Sequence, residues 1–343
     1  MDSNFRGLTI NIIYVKGTVD LLLPFLSTLL QFSECRFRLV SNACPANEEA
    51  QLKQFVITEN RTSFYSLESY QVLLHHEVLH RLLAKEQSEW FAFMDSDIFA
   101  KGSFLPEMMY ALKDKDAVFT GLPLWHEDSE LKMPQKFKIM GGRYFMSHND
   151  CLLGLSYMAI YRTGSLRHFI KSTGVDFRRY YWKEIPALYQ DIISKAGLRK
   201  HMYDTAKVLN ILWQDQGARM VYHPVDNLIH LGGVSGEDNQ GGLFLAMKRN
   251  LLRLIPALIS TSVKSMFGIS DRISFQERLN IERLVKKRRI SAMLLRQRLY
   301  SSSVGSDMQM RHFLGSEIAQ KFETAIEIID PVIKEFYQNR SKK

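Results

Sequence analysis

The sequence predicts an α/β protein built on a doubly wound parallel sheet, followed by a mainly helical, basic C-terminal extension. Apolar runs of strand length alternate with amphipathic helical patterns through the first 240 residues, which is typical of βαβ units. The run 90–94 is continuously apolar, as expected of a strand covered on both faces. With 343 residues, 46% of them hydrophobic, the chain can bury a sizeable core.

The N-terminal part has the pattern of a βαβαβ unit. Residues 8–15 predict a first buried strand, and residues 20–32 have helical apolar spacing. A second strand is predicted at 36–42, a helix at 48–55 and a third strand at 54–60. These lengths suit a parallel sheet with helical crossovers.

Further elements continue this alternation. A long helical pattern at 66–87 leads to the apolar strand before Asp95, and 117–121 predicts another strand. A strand is also predicted at 151–162. The intervening loop, 122–150, is longer than a simple connection, and such loops are often functional. We expect it either to cover a substrate or to be a surface insertion.

Two carboxylates close the apolar strand, in the order Asp95, Ser96, Asp97. Alternation along an extended chain places Asp95 and Asp97 on one side. Ligands of α/β sheets bind outside the carboxyl ends of strands. Converging carboxylates repel unless a cation lies between them, and Mg²⁺ or Mn²⁺ suits hard oxygen ligands. The pattern favours a divalent metal, and the alternative is an ordinary turn or cap.

A second anchor lies in residues 203–233. The pattern there predicts a helix beginning near Asp204, a stop at Gly217, a short strand at 219–224, and His230 followed by two glycines. A lone histidine is more often structural, but a neutral imidazole is a good Mn²⁺ ligand beside carboxylates. An acidic residue at a helix start is also a normal N-cap.

The order of these features resembles the glycosyltransferase A (GT-A) fold, a Rossmann-like sheet, and is most similar to family 2 glycosyltransferases. The resemblance covers about residues 8–235. It rests on the N-terminal βαβ unit, the D-x-D strand end, the strand CLLGLSYMAIYR, the acidic residue Asp204 and the sequence His-Leu-Gly-Gly from His230.

The resemblance implies a transfer of sugar from a nucleotide-sugar donor to a glycan or lipid-linked acceptor. It implies that Mn²⁺ or Mg²⁺ is held by Asp95, Asp97 and His230 and stabilises the diphosphate leaving group as a Lewis acid. It also implies that Asp204 is the general base of an inverting reaction.

Further site residues are predicted as well. For the donor, the expected nucleotide-sugar contacts are Val15, Asn42, Asp95 and Ser96. On the acceptor side, the candidates are Trp125, His126 and Asp150, which lie in the long loop 122–150, and Tyr203.

Three features depart from the family pattern. Tyr203 precedes Asp204 where an acidic residue is common, Asn42 follows the second strand where an aspartate often holds the nucleobase, and the later Arg-Trp signature is not recognisable. These differences leave the choice between inversion and retention open.

The net charge of +9 is concentrated downstream of the predicted catalytic domain, which we assign to residues 1–240. The segment 244–300 holds thirteen Lys or Arg against three acids. We predict that 241–343 is a helical, basic region whose segment 243–298 either lies on an anionic membrane surface or packs on the domain. We see no nucleic-acid motif and do not expect a nucleic-acid partner.

Composition also gives an expected location. There is no signal-peptide pattern and no apolar run of spanning length, and the three cysteines lack metal or redox spacing. We therefore expect a cytoplasmic protein with reduced thiols, which is peripheral at the inner membrane face if the segment 243–298 lies on the membrane. The rival functions are a nucleotidyltransferase and a nonenzymatic membrane or nucleic-acid adaptor.

Overall fold

The computed structural model describes residues 7–126, 132–142, 144–154, 157–235 and 316–340. The helices are α1 (Val19–Gln31), α2 (Ala46–Thr58), α3 (His75–Lys85), α4 (Leu105–Leu112), α5 (Thr163–Thr173), α6 (Ala187–Lys195), α7 (Lys207–Asp215) and α8 (Ser316–Arg340). The strands are β1 (Thr9–Val15), β2 (Arg36–Asn42), β3 (Thr62–Ser66), β4 (Trp90–Asp95), β5 (Ile98–Ala100), β6 (Ala117–Thr120), β7 (Ile139–Met140), β8 (Met158–Arg162), β9 (Tyr180–Tyr181), β10 (Met202–Tyr203), β11 (Met220–Tyr222) and β12 (Leu228–His230).

A seven-stranded sheet forms the centre, in the order β11-β6-β8-β4-β1-β2-β3. The pairs β1/β2, β1/β4, β2/β3 and β6/β11 are parallel, and β8 runs antiparallel between β4 and β6. The α/β fold with a largely parallel sheet and flanking helices is confirmed. The carboxyl ends of β1, β2 and β4 therefore meet at one edge, where ligands of such sheets bind.

The burial of both faces of β4 explains why residues 90–94 are continuously apolar. Its side chains alternate between two buried clusters: Ala92 and Met94 belong to the cluster that contains α1, and Phe91 and Phe93 belong to the cluster on the other face. A strand covered on both faces has no solvent side and hence no polar alternation.

The C-terminal helix α8 packs against α1. Ala319 and Phe322 are fully buried in the same cluster as α1, and Phe336 stacks on Phe55 with ring centroids 6.0 Å apart. The basic segment 243–298 lies outside the described residues. None of the helices in the described ranges is long and apolar enough to cross a membrane.

Several predicted boundaries were wrong. The predicted strand at 54–60 is mostly the end of α2, which continues to Thr58 because Phe55 lies on its buried face, and the third strand is β3. The helix predicted at 66–87 is confined to His75–Lys85. Only the C-terminal part of the strand predicted at 151–162 forms a strand of the sheet, namely β8. Leu153 lies outside it, and its amide donates to the Phe145 carbonyl. Helix α7 begins three residues after Asp204.

Candidate metal and donor site

The two carboxylates and the distant histidine meet because two short strands pair. Strand β5 follows Asp97 directly and runs antiparallel to β12, with Ile98 opposite His230. The His230 Nε2 lies 3.2 Å from an Asp97 oxygen and 3.9 Å from an Asp95 oxygen. Ligand atoms of all three residues lie within 4.8 Å of one another, close enough for them to share one metal ion.

The loop after β12 closes over Asp97. The Leu231 amide donates to the Asp97 backbone carbonyl at 3.1 Å. The Val234 and Ser235 amides donate to the Asp97 Oδ2 at 2.8 and 3.2 Å. One carboxylate oxygen is thus held by the backbone, and the other, Oδ1, is left to face His230.

The His230 ring is fixed by a bond to the main chain. Its Nδ1 lies 2.6 Å from the Gly121 carbonyl oxygen, which can only accept, so Nδ1 carries a proton. In the neutral ring, Nε2 then presents a lone pair toward the Asp97 Oδ1. These two buried atoms make no hydrogen bond with any group in the described part of the chain. Two facing acceptors need a proton or a cation between them, so the residues fit a divalent metal.

The electrostatics of the pair agree with this arrangement. Burial raises the pKa of Asp97, but His230 and the Val234 and Ser235 amides outweigh it, so the Asp97 pKa lies below its usual range. Burial lowers the pKa of His230, but Asp97, Asp95 and the Gly121 carbonyl outweigh it, so the His230 pKa is raised. Asp97 is therefore ionised at neutral pH, and a proton competes with a metal for the imidazole.

Asp95 and Ser96 differ in exposure. The Asp95 side chain is 23% exposed, so it faces the solvent side of the cluster from which a ligand would enter. Ser96 is buried, and its hydroxyl has no hydrogen-bond partner among the described residues. A buried hydroxyl beside a candidate metal site is available to a polar ligand atom.

The ends of β1 and β2 lie along the same sheet edge. The Val15 carbonyl accepts from the Thr18 hydroxyl at 2.7 Å. The Asn42 amide is engaged by the main chain of Leu73: its Nδ2 donates to the Leu73 carbonyl at 3.0 Å, and its Oδ1 accepts from the Leu73 amide at 2.9 Å. In this conformation Asn42 anchors the loop before α3, and a contact to a nucleobase would require these bonds to be exchanged.

Asp204 directly follows strand β10 and is held by three donors. Its Oδ1 accepts from the Thr205 amide at 2.9 Å and from Arg179 at 3.3 Å, and its Oδ2 accepts from the Gly142 amide at 3.1 Å. Burial raises its pKa, but Arg179, the Thr205 amide and Lys207 outweigh it, so the Asp204 pKa is lowered. The carboxylate is 29% exposed and ionised at neutral pH, and Ala206 rather than Asp204 precedes α7.

The four acceptor-side candidates lie in different environments. Trp125 is fully buried and donates from Nε1 to the Gly232 carbonyl at 3.0 Å, so it supports the loop over Asp97. Tyr203 is fully buried and donates to the Leu198 carbonyl at 2.9 Å. His126 is buried as well. Asp150 is exposed and paired with Lys132. Three of the four candidates are thus buried in this conformation, and the acceptor-side assignment stays a prediction.

Sequence reasoning missed several contributors. The Gly121 carbonyl selects the His230 tautomer, and the Val234 and Ser235 amides hold Asp97. Main-chain amides and carbonyls are common to almost all residue types, so the sequence does not show which of them will contact the site. The glycine pair after His230 was the one available signal, since Gly232 has φ +75° and an added Cβ would lie 2.4 Å from both Pro123 and Trp125. Arg179 gave no local signal at all.

Comparison with known proteins gives fold likenesses at low identity. No protein-family model matches the sequence, and no curated protein matches it. A mannosyltransferase, PcManGT from Pyrobaculum calidifontis in complex with GDP-Man and Mn²⁺, is 12% identical with a TM-score of 0.43, covering 100% of this chain and 89% of that one.

Two other solved structures are similar at the same level. One is a 4-diphosphocytidyl-2C-methyl-D-erythritol synthase from Anaerococcus prevotii (11% identity, TM-score 0.39, 65% of this chain and 91% of that one). The other is S. aureus TarS, residues 1–349 (12% identity, TM-score 0.40, 97% and 92%). These likenesses do not assign an activity to this chain.

Proposed function

We propose that this protein is a metal-dependent glycosyltransferase that moves a sugar from a nucleotide-sugar donor to a glycan or lipid-linked acceptor. The observation that carries the proposal is the cluster of Asp95, Asp97 and His230 at the end of β4, with two buried ligand atoms that face each other without a hydrogen bond. It lies at the sheet edge where α/β proteins bind their ligands.

The three residues would hold Mn²⁺ or Mg²⁺. When bound, such an ion supplies Lewis acidity that stabilises the diphosphate leaving group. Asp97 and His230 are fixed by the loop over Asp97 and by the Gly121 carbonyl, so their positions are set before a ligand arrives. We assign Ser96 as a further contact to the donor, because its buried hydroxyl has no hydrogen-bond partner among the described residues.

Asp204 is the residue we assign as general base of an inverting transfer. A base must be ionised and within hydrogen-bond reach of the acceptor hydroxyl. The lowered pKa keeps Asp204 ionised, and its 29% exposure leaves it accessible to an acceptor. The pair with Arg179 reduces its basicity, so we propose that an acceptor displaces this contact when it binds.

The loop after β1 argues against a nucleotidyltransferase with a glycine-rich phosphate cradle. Such a cradle needs main-chain amides that point at the phosphates. The one glycine in that loop, Gly17, donates its amide to the Glu48 carboxylate at 2.7 and 2.9 Å. A carboxylate at this place repels phosphate.

We also propose that the protein works in the cytoplasm and attaches to an anionic membrane face through 243–298. The support is compositional, since that segment is strongly basic and amphipathic. Replacing Lys286, Lys287, Arg288 and Arg289 by Glu should release the protein from anionic vesicles. Unchanged vesicle binding would remove this part of the proposal.

A thermal-shift panel tests the donor site. UDP-, GDP-, CMP- and dTDP-sugars are each added with and without Mn²⁺ to the wild type and to Asp97→Asn. We expect one nucleotide class to raise Tm only when Mn²⁺ is present, and the variant to lose this effect. If no donor shifts the wild type, the cluster is a strand cap and the protein is better explained as an adaptor.

A further inference from the structure

Helix α7 carries a row of polar side chains along one face. Lys207, Asn210 and Gln214 are spaced three and four residues apart, so they lie on the same side of the helix. All three donate to main-chain carbonyls of the segment before β8: Lys207 Nζ to Tyr144 at 3.0 Å and to Gly154, Asn210 Nδ2 to Leu153 at 2.9 Å, and Gln214 Nε2 to Leu152. The row docks both ends of the segment 144–154 on the helix.

Lys207 is the charged member of this row. Asn210 and Gln214 show that neutral amides are sufficient to bond main-chain carbonyls at this face. Lys207 is only 1% exposed, and burial lowers its pKa to about 7 against the opposing charge of Asp204, so the ammonium is costly here. Docking of the segment therefore does not by itself account for a buried lysine at this position.

The segment that Lys207 holds is also the one that orients Asp204. The Gly142 amide donates to the Asp204 Oδ2 at 3.1 Å. Two residues further on, the Tyr144 carbonyl accepts from Lys207 Nζ. The Lys207 amide in turn donates to the Asp204 carbonyl at 3.1 Å. A shift of the Tyr144 main chain would draw the Gly142 amide away from the carboxylate.

The two cations that lower the pKa of Asp204 differ in how permanent they are. Arg179 is half exposed, and its contact with Asp204 is the one that we expect an acceptor to displace. Lys207 is enclosed and stays when an acceptor binds. His75 in α3 also lies within the field of Asp204, but burial lowers its pKa to about 4, so it is neutral at pH 6 and above. Lys207 is thus the positive charge that remains beside Asp204 in the loaded site.

We propose that Lys207 is a positioning residue for Asp204, which fixes the Gly142 amide through the Tyr144 main chain and supplies a permanent positive charge beside the carboxylate. This inference rests on the proposed function, because it concerns the general base assigned there. Without the ammonium, Asp204 loses the firm position of one of its three donors and becomes easier to protonate.

Nuclear magnetic resonance of the Gly142 amide tests the positional part without any ligand. The chain contains three Gly-Gly pairs, which end at Gly142, Gly233 and Gly242. Full-length protein made with glycine labelled at both nitrogen (¹⁵N) and carbonyl carbon (¹³C) therefore gives three amide signals in a carbonyl-selected spectrum. The signal that disappears in Gly142→Ala is that of Gly142.

Spectra are compared at pH 6, where Lys207 carries its proton, for the wild type, Asp204→Asn, Lys207→Met and Gln214→Met. The last variant is the matched control, because it removes a main-chain contact from the same helix face. Lys207→Met should move the Gly142 proton signal in the direction caused by Asp204→Asn and at least about half as far, since both changes weaken a bond to a charged acceptor. Gln214→Met should leave the signal in place. An unmoved signal in Lys207→Met, or an equal displacement in Gln214→Met, would overturn the proposal.

A titration of the wild type removes the Lys207 charge without a substitution, so it serves even if Lys207→Met does not fold. Between pH 6 and 8.5, Asp204 stays ionised, Arg179 stays protonated and His75 stays neutral. The Gly142 signal should therefore move with the midpoint of Lys207, near pH 7. A signal that does not change over this range would overturn the proposal.

Hydrolysis of the nucleotide-sugar selected by the thermal-shift panel, with water as the acceptor, tests the catalytic consequence. Lys207→Met should lower kcat by about tenfold, leave the KM of the donor unchanged and move the acid limb of the pH profile to higher pH, because Asp204 is easier to protonate. Gln214→Met should do none of these. If no donor binds the wild type, the proposed function fails while the Gly142 result stands. If donors bind and Lys207→Met keeps the wild-type kcat and pH profile, this inference alone is overturned.

Discussion

The His230 Nε2 and the Asp97 Oδ1 lie 3.2 Å apart in the protein interior without forming a hydrogen bond. The opposite side of each group is already bonded, His230 to the Gly121 carbonyl and Asp97 to the Val234 and Ser235 amides. The free sides therefore converge on one point next to Asp95. This convergence is the physical basis of the metal site.

Metal affinity should depend on pH through His230. Its pKa is raised, so the imidazolium persists above pH 6.5 and blocks Nε2, whereas the lowered pKa of Asp97 keeps that group ionised. As pH falls from 8.5 to 6, Mn²⁺ affinity measured by calorimetry should drop, by up to about tenfold per unit. His230→Gln should bind Mn²⁺ more weakly and without this slope. A flat wild-type profile would contradict the ligand assignment.

The loop over Asp97 should not tolerate a side chain at Gly232. This residue has φ +75°, and a Cβ would meet Pro123 and Trp125 at 2.4 Å. Gly232→Ala should lower the free energy of unfolding by about 1–3 kcal/mol and weaken Mn²⁺ binding.

A matched control for this change is Gly164→Ala in α5. An added Cβ at Gly164 meets nothing within 4 Å, and alanine is favoured in a helix by about 0.5–1 kcal/mol. Urea denaturation of both variants separates backbone strain at Gly232 from a general effect of alanine. Equal stability of the two variants would be inconsistent with a tightly packed loop.

Asp204→Asn should separate catalysis from metal binding. The amide retains an oxygen for the Thr205 or Gly142 amide but cannot take a proton from an acceptor. Sugar transfer should fall about 10²- to 10⁴-fold, with Mn²⁺ affinity unchanged. Transfer at the wild-type rate would exclude Asp204 as the general base. The support that this residue gives to an inverting reaction would then be lost.

Lys207 should give stability an unusual dependence on pH. Burial lowers its pKa to about 7 despite the opposing charge of Asp204, while its ammonium donates to the Tyr144 and Gly154 carbonyls. Between pH 7 and 9 the unfolded chain binds this proton and the folded chain releases it. Stability should therefore rise with pH, by at most about 1.4 kcal/mol per unit.

The comparison with Lys207→Met isolates this contribution, because all other titrating groups are common to both proteins. Urea denaturation at pH 7, 8 and 9 should show a smaller rise in the variant. Identical slopes would mean that Lys207 keeps an ordinary pKa in the folded protein.

The sequence predicted the parts of the fold that have local patterns. The apolar run before Asp95 predicts a strand covered on both faces, and the D-x-D strand end and the His-Leu-Gly-Gly sequence indicate Asp95, Asp97 and His230 as ligands. The strand predicted at 54–60 failed because a short apolar run such as Phe-Val-Ile suits either a helix face or a strand. Here Phe55 packs on α8, a contact from the far end of the chain.

The remaining parts of the site depend on tertiary contacts. The pairing of β5 with β12, which brings Ile98 opposite His230, has no local signal. Trp125 looked like an acceptor contact because it lies in a long polar loop, yet it is buried under Gly232. Arg179 reaches Asp204 only because β9 pairs with β10.

The most direct test of the account is a calorimetric titration of the nucleotide-sugar selected by the thermal-shift panel, with and without saturating Mn²⁺, into the wild type and Asp97→Asn. The account predicts binding to the wild type that requires Mn²⁺, and at least about tenfold weaker binding to the variant. Donor binding that is equally tight without metal, or unchanged in Asp97→Asn, would contradict a metal-dependent donor site at Asp95, Asp97 and His230.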